Sequence, residues 1–285
     1  MNSNRLYMHR SLSDNVNMVF DFVGENWRKL LKMMIYFLLP FSVLIGIALS
    51  SIQRGNDTLL SPTTYVVSGA LFVAGCAVVT ALVILLVKWS EAHNGTLDGC
   101  EVGTMWRMLP RSALKCLGVI VLWTPLMVLA CFLVVIPIIG WAAILAVLPI
   151  YLLCPIMLLE PGSGSLLNVA SRAFSLGFKK WGRLILTTLI MGVVAVLINN
   201  AITFPLAIYK VMDSVFWTRG GATDTVFKSF VVDMMFYIIC VAESFMIFVE
   251  TGLFVLAMTY HYGSVATEVE DIGLERDIDN FPNLQ

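Results

Sequence analysis

Two carboxylates, Glu243 and Glu250, stand seven residues apart inside an otherwise apolar run from Phe230 to Tyr262. The other long apolar runs carry no acidic or basic side chain through their middles. A charge at bilayer depth costs about 2.5 kcal/mol or more, so such residues face a bundle interior and mark binding or coupling sites. At about 1.5 Å of rise per residue, Glu250 lies roughly 15 Å from Tyr260 and Glu243 roughly 26 Å from it. Asn199 and Asn200 reach roughly 24 Å up the preceding run, level with Glu243. Tyr151, Ser42 and Thr80 fall near the level of Glu250, where no Lys or Arg is available. Two chemistries fit this set. Glu250 binds a proton or cation, with Glu243 and the asparagines as an outer polar vestibule, or both glutamates hydrogen-bond across helices and hold the bundle together.

The elements that must position these groups follow from composition. Hydrophobic residues make up 59% of the 285, charged residues only 13%, and the mean hydropathy is +0.86. A soluble domain carries about 25% charged residues, so the solvent read here is a bilayer. Apolar runs long enough to cross it predict six spans, at about 32–50, 63–87, 117–136, 139–159, 184–209 and 230–261. The third and fourth come from one run, Leu117 to Leu159, turned at Pro137-Ile-Ile-Gly140-Trp141. Ala70, Ala74, Ala77 and Ala81 let another helix approach the second span closely, which makes it central. The fold expected is all-α, a polytopic membrane protein with one domain over residues 1–262 and an acidic tail over 263–285.

Three amphipathic stretches, about 11–31, 101–116 and 165–183, precede the odd-numbered spans. In the first, Leu12, Val16, Val19, Phe20, Val23 and Trp27 recur at helical spacing, with Ser13 or Asp14 as N-cap. Each stretch carries a tryptophan (Trp27, Trp106, Trp181) and basic neighbours. The chain is therefore read as three units of amphipathic elbow plus helical hairpin. Arg28, Lys29, Arg107, Arg111, Arg172, Lys179 and Lys180 stand at headgroup level, where anionic lipid is the expected partner, beside ordinary positive-inside anchoring.

Fourteen of the eighteen Lys and Arg fall on the side shared by both termini, which orients that side to the cytoplasm of a bacterial inner membrane. All six cysteines lie in apolar runs or on that side, so no disulfide is expected. No cleavable signal peptide is read at the start. The tail, with Glu268, Glu270, Asp271, Glu275, Asp277 and Asp279, reads as a solvated end; its charge also suits docking onto the basic elbows.

Cys154-Pro155-Ile-Met-Leu-Leu-Glu160, then Ala173-Phe-Ser-Leu-Gly177 and Trp181, resemble a diffuse group of bacterial six-span proteins. That group includes the membrane domain fused to some glycerophosphodiester phosphodiesterases. The resemblance implies the architecture and carries no activity, since the phosphodiesterase catalytic domain has no counterpart. Motifs for P-loop, hydrolase-elbow, zinc-protease and CxxC chemistry are missing from the sequence. The three histidines are scattered. No cofactor, metal or nucleic acid is expected. The function read is a non-enzymatic integral membrane protein that organises a lipid environment or a membrane-protein partner, a second copy included. The alternative is a small transporter or channel-like protein coupling protons or cations through Glu250 and Glu243.

Overall fold

The structure is a computed structural model that describes residues 6–53, 62–93, 95–133, 136–160, 165–212 and 225–270. Helix α1 spans Leu12–Gln53 and α2 Pro62–Ala92; α3 spans Val102–Leu133 and α4 Pro137–Val147. A 3₁₀ turn at Leu148–Leu152 leads into α5, Leu153–Leu159, then α6, Leu166–Lys179. Helices α7, Trp181–Met212, and α8, Thr225–Glu270, complete the bundle. Six helical segments are long and apolar enough to cross a membrane by length and composition. The protein is an all-α, multi-pass membrane bundle.

The first two elbows are continuous with their spans. Helix α1 runs 42 residues through Pro40, and α3 runs 32 residues through Pro110 and Pro125. A proline removes one amide donor without forbidding continuation, because neighbouring helices hold the two halves in line. The cap of α1 is Ser11, ahead of the expected Ser13 or Asp14. The Asp14 amide donates to Ser11 Oγ at 3.2 Å, and Asp14 Oδ2 accepts from the Ser11 amide at 3.2 Å and its hydroxyl at 2.6 Å. That reciprocal pair is a capping box. Only the third elbow is a separate helix. Lys180, at φ −123° and ψ 37°, breaks the chain between α6 and α7.

The fourth span is broken too. Pro149 and Pro155 fall where the chain narrows into the 3₁₀ turn and resumes as α5. The last helix runs beyond the expected end near residue 261 to Glu270, 46 residues in all. Val265 and Ala266 are fully buried there, so tertiary packing extends the helix into what reads as tail. Residues 271–285, with the remaining tail acids, lie outside the described residues.

Helix α8 packs most extensively on α1, and also on α7 and α2. Close approach to α2 rests on Gly75, where an added Cβ would sit 2.3 Å from the Phe248 ring. Helix α2 is buried on all sides from Val79 to Val87, while Tyr65 to Val67 at its other end are exposed. The core therefore lies toward the end of the bundle where the first elbow and the end of α8 meet. That end also carries most of the basic residues and is called the basic end below.

Candidate functional site: a closed basic end and an apolar cleft

Glu250 is half-buried on α8, with Oε1 buried and without a hydrogen-bond partner among the described residues. Its neighbour Thr251 lines the large cavity described below, and Val249 a smaller one; Glu250 lines neither. Glu243, two turns away, is half-buried. Asn199 is half-buried and Asn200 exposed. The Asn200 amide donates to the Val196 carbonyl of its own helix at 2.7 Å, and the Asn199 carbonyl accepts from the Thr203 hydroxyl at 3.0 Å. Tyr151 packs edge-on against Phe254, centroids 4.8 Å apart. The intramembrane polar residues are thus spread over separate surroundings.

Polar convergence occurs instead at the basic end. Arg172 of α6 bridges two carboxylates: its Nε donates to Glu270 at 3.0 Å and one Nη to Glu160 at 3.0 Å, with further short contacts to both. The Tyr262 hydroxyl donates to Glu160. Glu268 accepts from Lys180 and, at 2.7 Å, from Arg183. Glu270, foremost, and Glu160 hold the Arg172 guanidinium above the usual arginine value. Pairing of this kind ties α5, α6, α7 and α8 together.

The N-terminal strap, residues 6–11, covers the same end. The Leu6 amide donates to Glu91 at 2.7 Å, and the Arg10 amide to Ser264 Oγ at 3.2 Å. Arg183 reaches the Arg10 carbonyl at 2.5 Å and Ser264 Oγ at 3.0 Å. Arg10 itself stacks over Tyr260 at 5.6 Å, and burial lowers its pKa from the usual arginine value. Leu6 is 1% exposed and lies on Gly263, whose added Cβ would sit 2.4 Å from the Leu6 carbonyl oxygen. Beneath this cap His261 is fully buried, and neither ring nitrogen has a partner among the described residues.

The seven basic residues singled out in the sequence fall into two groups. Arg172 and Lys180 are committed to the carboxylates above, and Lys29 pairs with Asp98 at 2.5 Å. Arg28, Arg107, Arg111 and Lys179 are exposed and make no ion pair among the described residues; Arg28 lies 5.3 Å from the Trp27 ring centroid. Sequence reasoning missed Glu160, Tyr262, Arg10 and Ser264 as network members. The one legible signal was charge: an acidic C-terminal stretch facing basic elbows.

A large cavity, about 670 Å³, lies between α2, α3, α5 and α8. Its walls are apolar, with Val119, Trp123 and Cys131 from α3 facing Thr80, Tyr151 and Thr251. The threonine hydroxyls are spent on their own helices: Thr80 donates to Cys76 at 2.7 Å, Thr124 to Ile120 at 2.6 Å and Thr251 to Ile247 at 2.8 Å. Among the described residues no group of three or more His, Cys, Asp and Glu side chains is placed to hold a metal. Compared with protein-family models, curated proteins and solved structures, the chain matches none of them.

Proposed function

We propose that this membrane protein acts without enzymatic chemistry, organising the lipid environment or a membrane partner in a bacterial inner membrane, with both termini in the cytoplasm. The observation that carries this reading is the capped basic end. The strap, the end of α8 and the Arg172–Glu160–Glu270 network close this end of the bundle with polar groups paired among themselves, and Glu250 lines neither the large cavity nor the smaller one beside it. The largely apolar walls of the large cavity favour the same reading, because ions and water need several polar partners, and those walls offer Trp123 Nε1 as a single unpartnered buried donor among the described residues. The resemblance of the Cys154–Glu160 and Ala173–Trp181 stretches to the membrane domain fused to glycerophosphodiester phosphodiesterases would, as a proposed kinship, fit a membrane module without the catalytic part.

A coupling role for Glu250 is the second reading, favoured by its unpartnered Oε1. Proteoliposomes loaded with a pH-sensitive dye separate the two. An organising protein gives the same proton and cation leak as empty vesicles, for wild type and Glu250→Gln alike. A flux present in wild type and lost in Glu250→Gln would replace the first reading with the second.

A further inference from the structure

We infer that the cleft between α2, α3, α5 and α8 holds an acyl chain of an anionic phospholipid, whose phosphate is met by Arg111 and Lys115. This deepens the lipid-organising reading and rests on it.

The first argument is capacity. An apolar cavity of about 150 Å³ stays dry and takes up a small hydrocarbon; this one has about 670 Å³ and opens between membrane-spanning helices. With the three threonine hydroxyls already bonded within their helices, the buried donor in the lining without a partner among the described residues is Trp123 Nε1, short of the two to four polar partners a water needs. Hydrocarbon fills such a lining without needing polar partners of its own.

The second argument is length and depth. The α3 lining runs from Val119 to Phe132, a rise of about 20 Å. One leaflet contributes about 15 Å of hydrocarbon, so the cleft accommodates a chain lying along the helix from headgroup level to the bilayer centre.

The third argument is charge. Arg111, Lys115, Val119 and Trp123 follow one another at four-residue intervals, a row that winds about 40° around α3 at each step and leads from the cleft wall to the basic end. Arg111 and Lys115 are exposed and have no carboxylate partner among the described residues. Their counterparts on the third elbow, Arg172 and Lys180, are neutralised by the chain's own acids. Two unpaired cations at the foot of an apolar cleft complement a phosphate attached to a chain.

The test is native mass spectrometry of the full chain released from detergent containing equal phosphatidylglycerol and chain-matched phosphatidylcholine. Wild type should retain one phosphatidylglycerol with at least fivefold preference. Arg111→Gln with Lys115→Gln should abolish the preference, and Cys131→Phe, which places a ring in the cleft, should reduce retention of both lipids. Phosphatidylglycerol brominated on its acyl chain should quench a fluorescence component that Trp123→Phe removes. Thermal melting of each variant separates lost binding from lost fold; if Cys131→Phe melts early, the Trp123 quenching decides. Equal retention of the two lipids by wild type would overturn the inference. So would an equal loss of preference in the remote pair Arg28→Gln with Lys179→Gln, because that describes general attraction to a basic surface. A flux in the proteoliposome assay would instead sink the functional reading, whatever lipid is retained.

Discussion

Arg172 joins two acidic segments through one side chain. Its guanidinium serves Glu160 and Glu270 together while three-quarters of its side chain is shielded from solvent, at 28% exposure. Removing it leaves two carboxylates facing each other with Tyr262 as the remaining donor. Arg172→Ala should therefore destabilise by about 2 kcal/mol, discounted from the fully buried case because solvent reaches the cluster. Arg172→Lys recovers only part, since an ammonium cannot make paired parallel bonds. Thermal melting in detergent reads both, and an unchanged melting temperature in Arg172→Ala would refute the pairing. Glu250 predicts the opposite sign. A buried oxygen without a partner costs stability, so Glu250→Met should leave the fold unchanged or stabilise it by about 1 kcal/mol; destabilisation would mean that the carboxyl holds a cross-helix bond. At the first elbow, hydrogen bonding to Lys29 and its charge hold Asp98 below the ordinary aspartate pKa. That contribution is present above the unfolded value near about 3.9 and is lost as pH falls through the lowered one. Lys29→Gln should flatten that acid limb of the melting profile.

At the scale of elements, the sequence marked the six apolar spans and the amphipathic character of all three elbows, because both depend on periodicity within one segment. What it left open were junctions. Pro40 and Pro110 sit inside helices, and α1 and α3 pass through them, as prolines in membrane-spanning helices can. The interruption comes at Pro149, inside the fourth span, where α6 presses against the 3₁₀ turn: a Cβ on Gly177 would sit 2.6 Å from the Pro149 side chain. The glycines of α8 and α2 mark contacts of the same kind. Phe248 is fully buried, so its ring has no room to retreat from a side chain at position 75. Gly75→Val should cost about 1–3 kcal/mol by overpacking, and Phe248→Leu should restore most of it. A purely additive loss in the double variant would show that the two residues do not touch.

At the scale of the whole molecule, the bundle is asymmetric: tightly packed and capped at the basic end, with α2 exposed toward the other. The sequence gives the sign of that asymmetry through its lysines and arginines. It does not give the cap, which joins residues as far apart as Arg10 and Ser264, 254 positions along the chain. Glu160 and Tyr262, 102 positions apart, are invisible for the same reason: neither has a local pattern that names its partner. The candidate carboxylates in the spans were legible because a charge among apolar residues is conspicuous by itself. The network that uses charge most fully was not, since paired acids and bases near a membrane surface look like ordinary anchoring. If the cap is one cooperative unit, loosening the end of α8 should uncover the strap. Ser264 is buried under Arg10 and Arg183, so Ser264→Cys should react slowly with a membrane-impermeant maleimide. Adding Glu268→Gln and Glu270→Gln removes the negative charges that pair with Lys180 and Arg183 and one of the two that pair with Arg172, and labelling should accelerate about tenfold or more, which corresponds to about 1.4 kcal/mol off the opening equilibrium. Exposed Lys179→Cys supplies the reference rate. If the termini are cytoplasmic, as proposed, both sites react in inside-out vesicles and neither reacts in intact cells. Labelling of Lys179→Cys from outside would reverse the orientation, while an unchanged Ser264→Cys rate would mean that the strap holds without the acidic end of α8.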